Sequence, residues 1–92
     1  MRRAAKIDAN HAEIVDVLRA AGCSVQSLGA VGSGCPDLLV GVAGKNVLLE
    51  VKQPGEKLNN VQKPWHAQWR GTAHVVWTLQ DALMVIGRYR MT

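Results

Sequence analysis

Ninety-two residues, 48% of them apolar and 20% charged, make one domain (1–92): too short for a second core and too hydrophobic for disorder. The net charge of +4 suits a polyanionic partner, and so small a core makes a homodimer a natural way to bury more surface. Nothing approaches the roughly 18 apolar residues of a membrane span and the N-terminus lacks a signal-type apolar core, so a cytoplasmic protein with no membrane partner is expected.

Met1 to Ile7 carries Arg2, Arg3 and Lys6, and reads as a basic arm toward a phosphate backbone or as a solvated terminus. From Asp8 to Ala21, Ile14, Val17, Leu18 and Ala21 recur at helical spacing, and Gly22 stops the run. Asn10 and Glu13 have the spacing of a capping box, which gives Glu13 a structural task. Cys23 and Cys35 are too far apart for a CxxC motif and read as small core residues in a reducing compartment. Ser24 to Val31 predicts a strand. Gly29 and Gly32-Ser33-Gly34 then loosen the chain, either to make a turn or to let backbone approach a ligand closely. No G-K-[ST] follows, so this is not a P-loop.

The densest stretch is GCPDLLVGVAGKNVLLEVK, Gly34 to Lys52. Leu38 to Val42 and Val47 to Lys52 read as buried strands, with a Gly44-Lys45 hairpin loop between them. Alternation puts Glu50 and Lys52 on one face and Val47, Leu49 and Val51 on the other. With that loop Asp37 falls opposite Lys52 and shares its face; a slip of one residue would reverse it. Two carboxylates and an amine then converge on an otherwise apolar hairpin. Such carboxylates repel unless a cation sits between them, and a hard divalent metal with oxygen ligands fits. The bland alternative is an edge hairpin with solvated charges.

Gln53-Pro54-Gly55-Glu56-Lys57 forms turns and is free to shift. Asn59 or Asn60 then caps a second helix that holds Gln62, Trp65, His66 and Trp69 and ends at Gly71. Trp65 and Trp69 share a face, as core filler or, the less favoured reading, as a base-stacking surface. His66 reads as a surface residue or one standing behind a site, since no spacing around it suggests zinc. Ala73 to Trp77 predicts a fourth strand. Leu79 to Ile86 predicts a closing helix with Leu79, Leu83 and Ile86 inward, before a basic tail of Arg88, Tyr89 and Arg90. The order α-β-β-β-α-β-α implies an α/β fold. The third and fourth strands are parallel through the crossover helix, so the four-stranded sheet is mixed, with helices on both faces.

The string GCPDLLVG…LLEVK…Q…WHAQWRG resembles the VRR-NUC subfamily of PD-(D/E)XK nucleases, in its short stand-alone phage and bacterial form. The resemblance runs from about Asn10 to about Leu83. It implies a restriction-endonuclease-like αβββαβ core and a metal-dependent, structure-selective DNA endonuclease that leaves 5′-phosphate and 3′-hydroxyl ends. The implied substrate is branched DNA, above all a Holliday (four-way) junction cut by a dimer. Asp37, Glu50 and the Val51 carbonyl would bind Mg²⁺ or Mn²⁺, Lys52 would position water, and Glu13 and Gln62 would hold metal-bound waters or the DNA backbone. Arg2, Arg3, Lys6, Ser33, Lys57, Lys63 and Arg70 are the expected DNA contacts. A monomeric flap or splayed-arm nickase and a non-catalytic nucleic-acid-binding module are the alternatives.

Overall fold

The computed structural model describes residues 4–91. Arg2, Arg3 and the Lys6 side chain lie outside the described part. The elements run α1 (Ala4–Ala20), β1 (Ser24–Ser27), β2 (Leu38–Val42), β3 (Lys45–Val51), α2 (Gln62–Gln68), β4 (Ala73–Val76) and α3 (Leu79–Arg90). The strands form one sheet in the order β1-β2-β3-β4. The first two pairings are antiparallel and β3–β4 is parallel, so the sheet is mixed and the class is α/β.

α1 starts four residues before the predicted helix, so Asn10 lies inside it and does not cap it. Its carboxamide instead donates to the carbonyls of Lys52 (3.3 Å) and Trp77 (3.4 Å), tying α1 to the ends of β3 and β4. Without Asn10 as a cap, the capping-box task for Glu13 falls away. The C-terminus of α1 follows the sequence. Gly22 takes φ +94°, Cys23 N–H reaches the Leu18 carbonyl at 3.0 Å and Gly22 N–H that of Arg19 at 3.0 Å. That is a Schellman stop, and its two flanking side chains, Leu18 and Cys23, both enter the core.

The β2–β3 hairpin turns at Ala43-Gly44, both at positive φ, and not at Gly44-Lys45. A turn of this hand favours glycine at its second central position, and Gly44 occupies it while Lys45 joins the ladder opposite Val42. The register therefore differs by two residues from the expectation. An even shift keeps every side chain on its expected face.

One face of the sheet is dry. Leu38, Val40, Val42, Val47, Leu49 and Val76 meet Ile14 and Leu18 of α1 and Ala82, Val85 and Ile86 of α3, all buried. α3 runs four residues beyond its predicted end, because Tyr89 packs against this core and Arg90 turns its guanidinium onto the Ala21 carbonyl. The supposed tail is thus a last helical turn. Leu83, expected inward, is exposed, because Ala82, Val85 and Ile86 occupy the inner face. Thr78 and Asp81 cap α3 reciprocally: Asp81 N–H donates to Thr78 Oγ1 (3.1 Å), and Thr78 N–H to Asp81 Oδ2 (3.1 Å). Trp77 N–H donates to Asp81 Oδ2 as well, and these bonds hold the Asp81 carboxyl below its usual range.

β1 stops at Ser27, four residues short of its predicted end, and Leu28 N–H then closes onto the Asp37 carbonyl at 2.7 Å. No helix among the described residues is long and apolar enough to cross a membrane.

Candidate metal centre

Extending the β2–β3 register by one step beyond Leu38 and Leu49 sets Asp37 directly opposite Glu50, on the face away from the core. Glu50 is buried to 2% exposure, and the backbone N–H of Val51 donates to Asp37 Oδ2 at 2.8 Å. The two carboxyls face each other closely enough for each to feel the other's charge. Burial first, then the Asp37 charge, push Glu50 up to about 8, against the opposing pull of Lys52. Glu50 Oε1 is buried without a partner. Lys52 lies two residues further along the strand direction of Glu50, and its own N–H continues the ladder to the Val76 carbonyl at 2.9 Å.

A cleft of about 250 Å³ opens over this pair, lined by His11, Asp37, Glu50, Val51, Lys52, Gln53, Glu56 and Gln62. Gln62 is oriented from both ends of its carboxamide. Its Oε1 accepts from Asn59 N–H (3.0 Å) and its Nε2 donates to Glu50 Oε2 (3.1 Å). Asn59 Oδ1 in turn accepts from Val61 and Gln62 N–H at 2.9 Å each, so Asn59, expected as the cap, instead forms a turn ahead of the Val61 N-cap and aims Gln62. The Gln53–Glu56 segment forms a turn, as its composition predicts. Glu56 N–H closes a turn onto the Gln53 carbonyl, Gly55 supplies φ +91° after Pro54, and Trp77 Nε1 donates to the Glu56 carbonyl at 2.7 Å.

Glu13 stands apart from this cluster: it is exposed on α1, while His11 is the α1 side chain that lines the cleft. Ser33, Lys57, Lys63 and Arg70 are all exposed. Ser33 takes φ 55°, and the next residue, Gly34, is where the Gly-rich loop meets α2. A Cβ there would come within 2.7 Å of the Val61 carbonyl oxygen, so that glycine serves packing against the helix that carries Gln62.

Three residue types near the site take places that the sequence left open or assigned to the core. His66 Nε2 is buried without a partner, and burial first, then the Lys52 charge, lower its pKa. It lies one turn after Gln62, so the i, i+4 rule placed it on the site side of α2 once Gln62 was assigned there. Cys35 is half-buried outside the core cluster, and burial, then the Glu50 and Asp37 charges, raise its thiol. The tryptophans are not core filler: α2 buries none of its own residues and stops at Gln68, short of the expected Gly71, which leaves Trp69 as an extended, exposed C-cap.

The donor set suits a hard divalent cation. Among the described residues no group of three or more His, Cys, Asp and Glu side chains could hold a metal. Two facing carboxylates, one with an orphaned buried oxygen, match the one or two protein carboxylates by which Mg²⁺ is commonly held, water and substrate oxygens completing the shell. Compared with protein-family models, with curated proteins and with solved structures, the chain matches none.

Proposed function

We propose that the chain is a metal-dependent endonuclease of the PD-(D/E)XK type, of the VRR-NUC kind, acting on branched DNA. The observation that carries this reading is the buried Glu50 facing Asp37 at the rim of a polar cleft that Lys52 also lines. Burying two carboxylates against each other costs stability unless the site serves a cation.

Asp37 and Glu50, with the Val51 carbonyl, would hold Mg²⁺ or Mn²⁺. Bound there, the metal would polarise the scissile phosphate and acidify the attacking water. Gln62 keeps the Glu50 carboxylate in one orientation. The Lys52 ammonium offsets negative charge as it develops on the phosphate. Asn10 fixes the Lys52 backbone from behind. Exposed Lys57, Lys63 and Arg70 supply phosphate contacts, which position a strand without reading sequence.

Resolving a four-way junction takes two opposed cuts, so this reading carries a two-fold dimer with it. Exposed Leu83, Met84 and Met91 give α3 an apolar outer surface for a second copy to cover. The test is to incubate the purified chain with labelled four-way junction, flap and linear duplex, with and without Mg²⁺ or Mn²⁺. Metal-dependent paired nicks in the junction are expected. Flap cutting by a monomer would retain the site and replace the resolvase assignment. No cleavage of any substrate with either metal would end the nuclease reading.

A further inference from the structure

The nuclease reading uses one end of the open sheet face and leaves the rest unassigned. One step along the ladder from Asp37 and Glu50, on the same face, stands the cross-strand pair Leu39 and Leu48. At about 3.3 Å per residue that is roughly 7 Å from the carboxylates. With Asn46, Trp69, Gly71 and Thr72, these leucines line an open cleft of about 270 Å³.

An indole forms its wall. One face of Trp69 stacks on Trp65, with ring centroids 4.6 Å apart and planes at 15°. Gly71 lies close beneath it, where a Cβ would come within 2.9 Å of Trp69 Nε1. The ring is thus held in one orientation while the residue stays 48% exposed. Two leucines and a fixed aromatic ring make a slot for something flat and apolar, and Asn46 adds a carboxamide at its edge. The segment that carries the indole has charge of one sign. From Lys57 to Gln80 the chain has no acidic residue, while Lys63 and Arg70 flank the two tryptophans. A second copy docked here would bring those cations against their own kind. A polyanion with flat rings would not.

We propose that this cleft takes an unpaired nucleobase from the strand whose phosphate lies at Asp37 and Glu50. The inference rests on the nuclease reading for that phosphate and adds to it the feature that selects the substrate. A base inside a duplex hides its faces in the stack, and only one that has left its partner at a branch or loop can lie on the indole. Stacking tolerates any base, so the slot reads structure and not sequence.

The test measures binding separately from cleavage. The metal-free full chain is titrated into a labelled oligothymidylate and into a blunt duplex of equal length, followed by fluorescence anisotropy. Trp69→Ala should weaken single-strand binding about tenfold or more and leave duplex binding within about twofold, whereas Trp69→Phe should retain most of the single-strand affinity. Circular dichroism and sedimentation of each variant accompany the titrations. Equal losses on both DNAs, or none on the single strand, would overturn the proposal. So would a dimer that Trp69→Ala turns into a monomer, because the cleft would then be an interface between copies. Selective single-strand loss without metal-dependent cleavage by the parent chain would uphold the base slot and remove the nuclease reading. Cleavage of branched DNA unaltered by Trp69→Ala would do the reverse.

Discussion

The two faces of the sheet are covered in opposite ways. On one, Ile14 and Leu18 from α1 and Ala82, Val85 and Ile86 from α3 close over six strand residues with no polar group among them. On the other, α2 reaches the sheet through the Gln62 bond to Glu50 and the cleft wall of Trp69, and buries none of its own side chains. The strands are shared, so the difference lies in what the helices bring. Long amphipathic helices supply apolar area, at about 1.5–3 kcal/mol for each large side chain fully buried, and that face holds the fold together. Seven residues of α2 supply aimed polar groups and leave room for a ligand. Side chains on the dry face should therefore govern stability, and those on the open face should govern activity.

Substitutions can break this division. The largest effect belongs to the open face: Asp37→Asn and Lys52→Ala should each lower metal-dependent cleavage by at least about 10³-fold, with circular dichroism unchanged. Near-parental rates in either would remove that residue from the site. On the dry face, Leu49→Ala should cost about 2–5 kcal/mol in urea unfolding, enough to unfold much of so small a domain. A loss below 1 kcal/mol would mean that the core is less tightly packed than its burial indicates.

Glu50 belongs to both faces in one sense, since it is buried yet part of the site, and pH separates the two roles. Its carboxyl titrates near 8 in the folded chain and in the ordinary carboxylate range when unfolded. Its contribution is therefore complete at low pH and is lost as pH rises toward 8, because the unfolded state gives up the proton first. His66 and His74 act oppositely, with lowered values that remove stability only as pH falls below about 6.5. Between pH 6.5 and 8, then, the melting temperature of the metal-free protein should fall as pH rises. Glu50→Gln should flatten that slope and raise stability at pH 8 by about 1–3 kcal/mol. A parental curve already flat in this window would show that Glu50 ionises normally.

The smallest effect sharpens the comparison from the dry side. Thr78→Ala removes the α3 cap and should cost about 1 kcal/mol while leaving the cleavage rate per folded molecule unchanged. A change in rate would mean that α3 and the site are coupled.

The hairpin and the face shared by Asp37 and Glu50 were legible in the sequence, because a period of two is robust to an even register shift. The pairing itself was not. It depends on whether Ala43 or Lys45 joins Gly44 in the turn, a local choice that alternation does not record. The Asn59 turn ahead of α2 and the stop at Gly22 could be read because they rest on short-range chemistry, whereas the ends of α2, at Val61 and Trp69, could not. Asn10 was misread for the same reason: its spacing to Glu13 fits a cap, whereas its partners, Lys52 and Trp77, lie 42 and 67 residues away. The tryptophans were misjudged on hydrophobicity alone, since composition does not reveal that the neighbouring helices already fill the core. His11 left no sequence signal at all.

The bond from Arg90 to the Ala21 carbonyl joins residues 69 positions apart, and it closes the layer in which α3 lies over α1. On the ribosome this ordering has a cost. Ile14 and Leu18 are made well before Val85 and Ile86, the α3 residues that seal them. Until then the dry face of the sheet is covered by α1 alone, and the apolar flank of α1 that α3 will meet stays open. Contacts of such long separation slow folding and leave early segments open to wrong partners. The net positive charge already present by Thr78, nine Lys and Arg against six Asp and Glu, acts against that hazard, because like-charged nascent chains repel one another while α3 is still being synthesised.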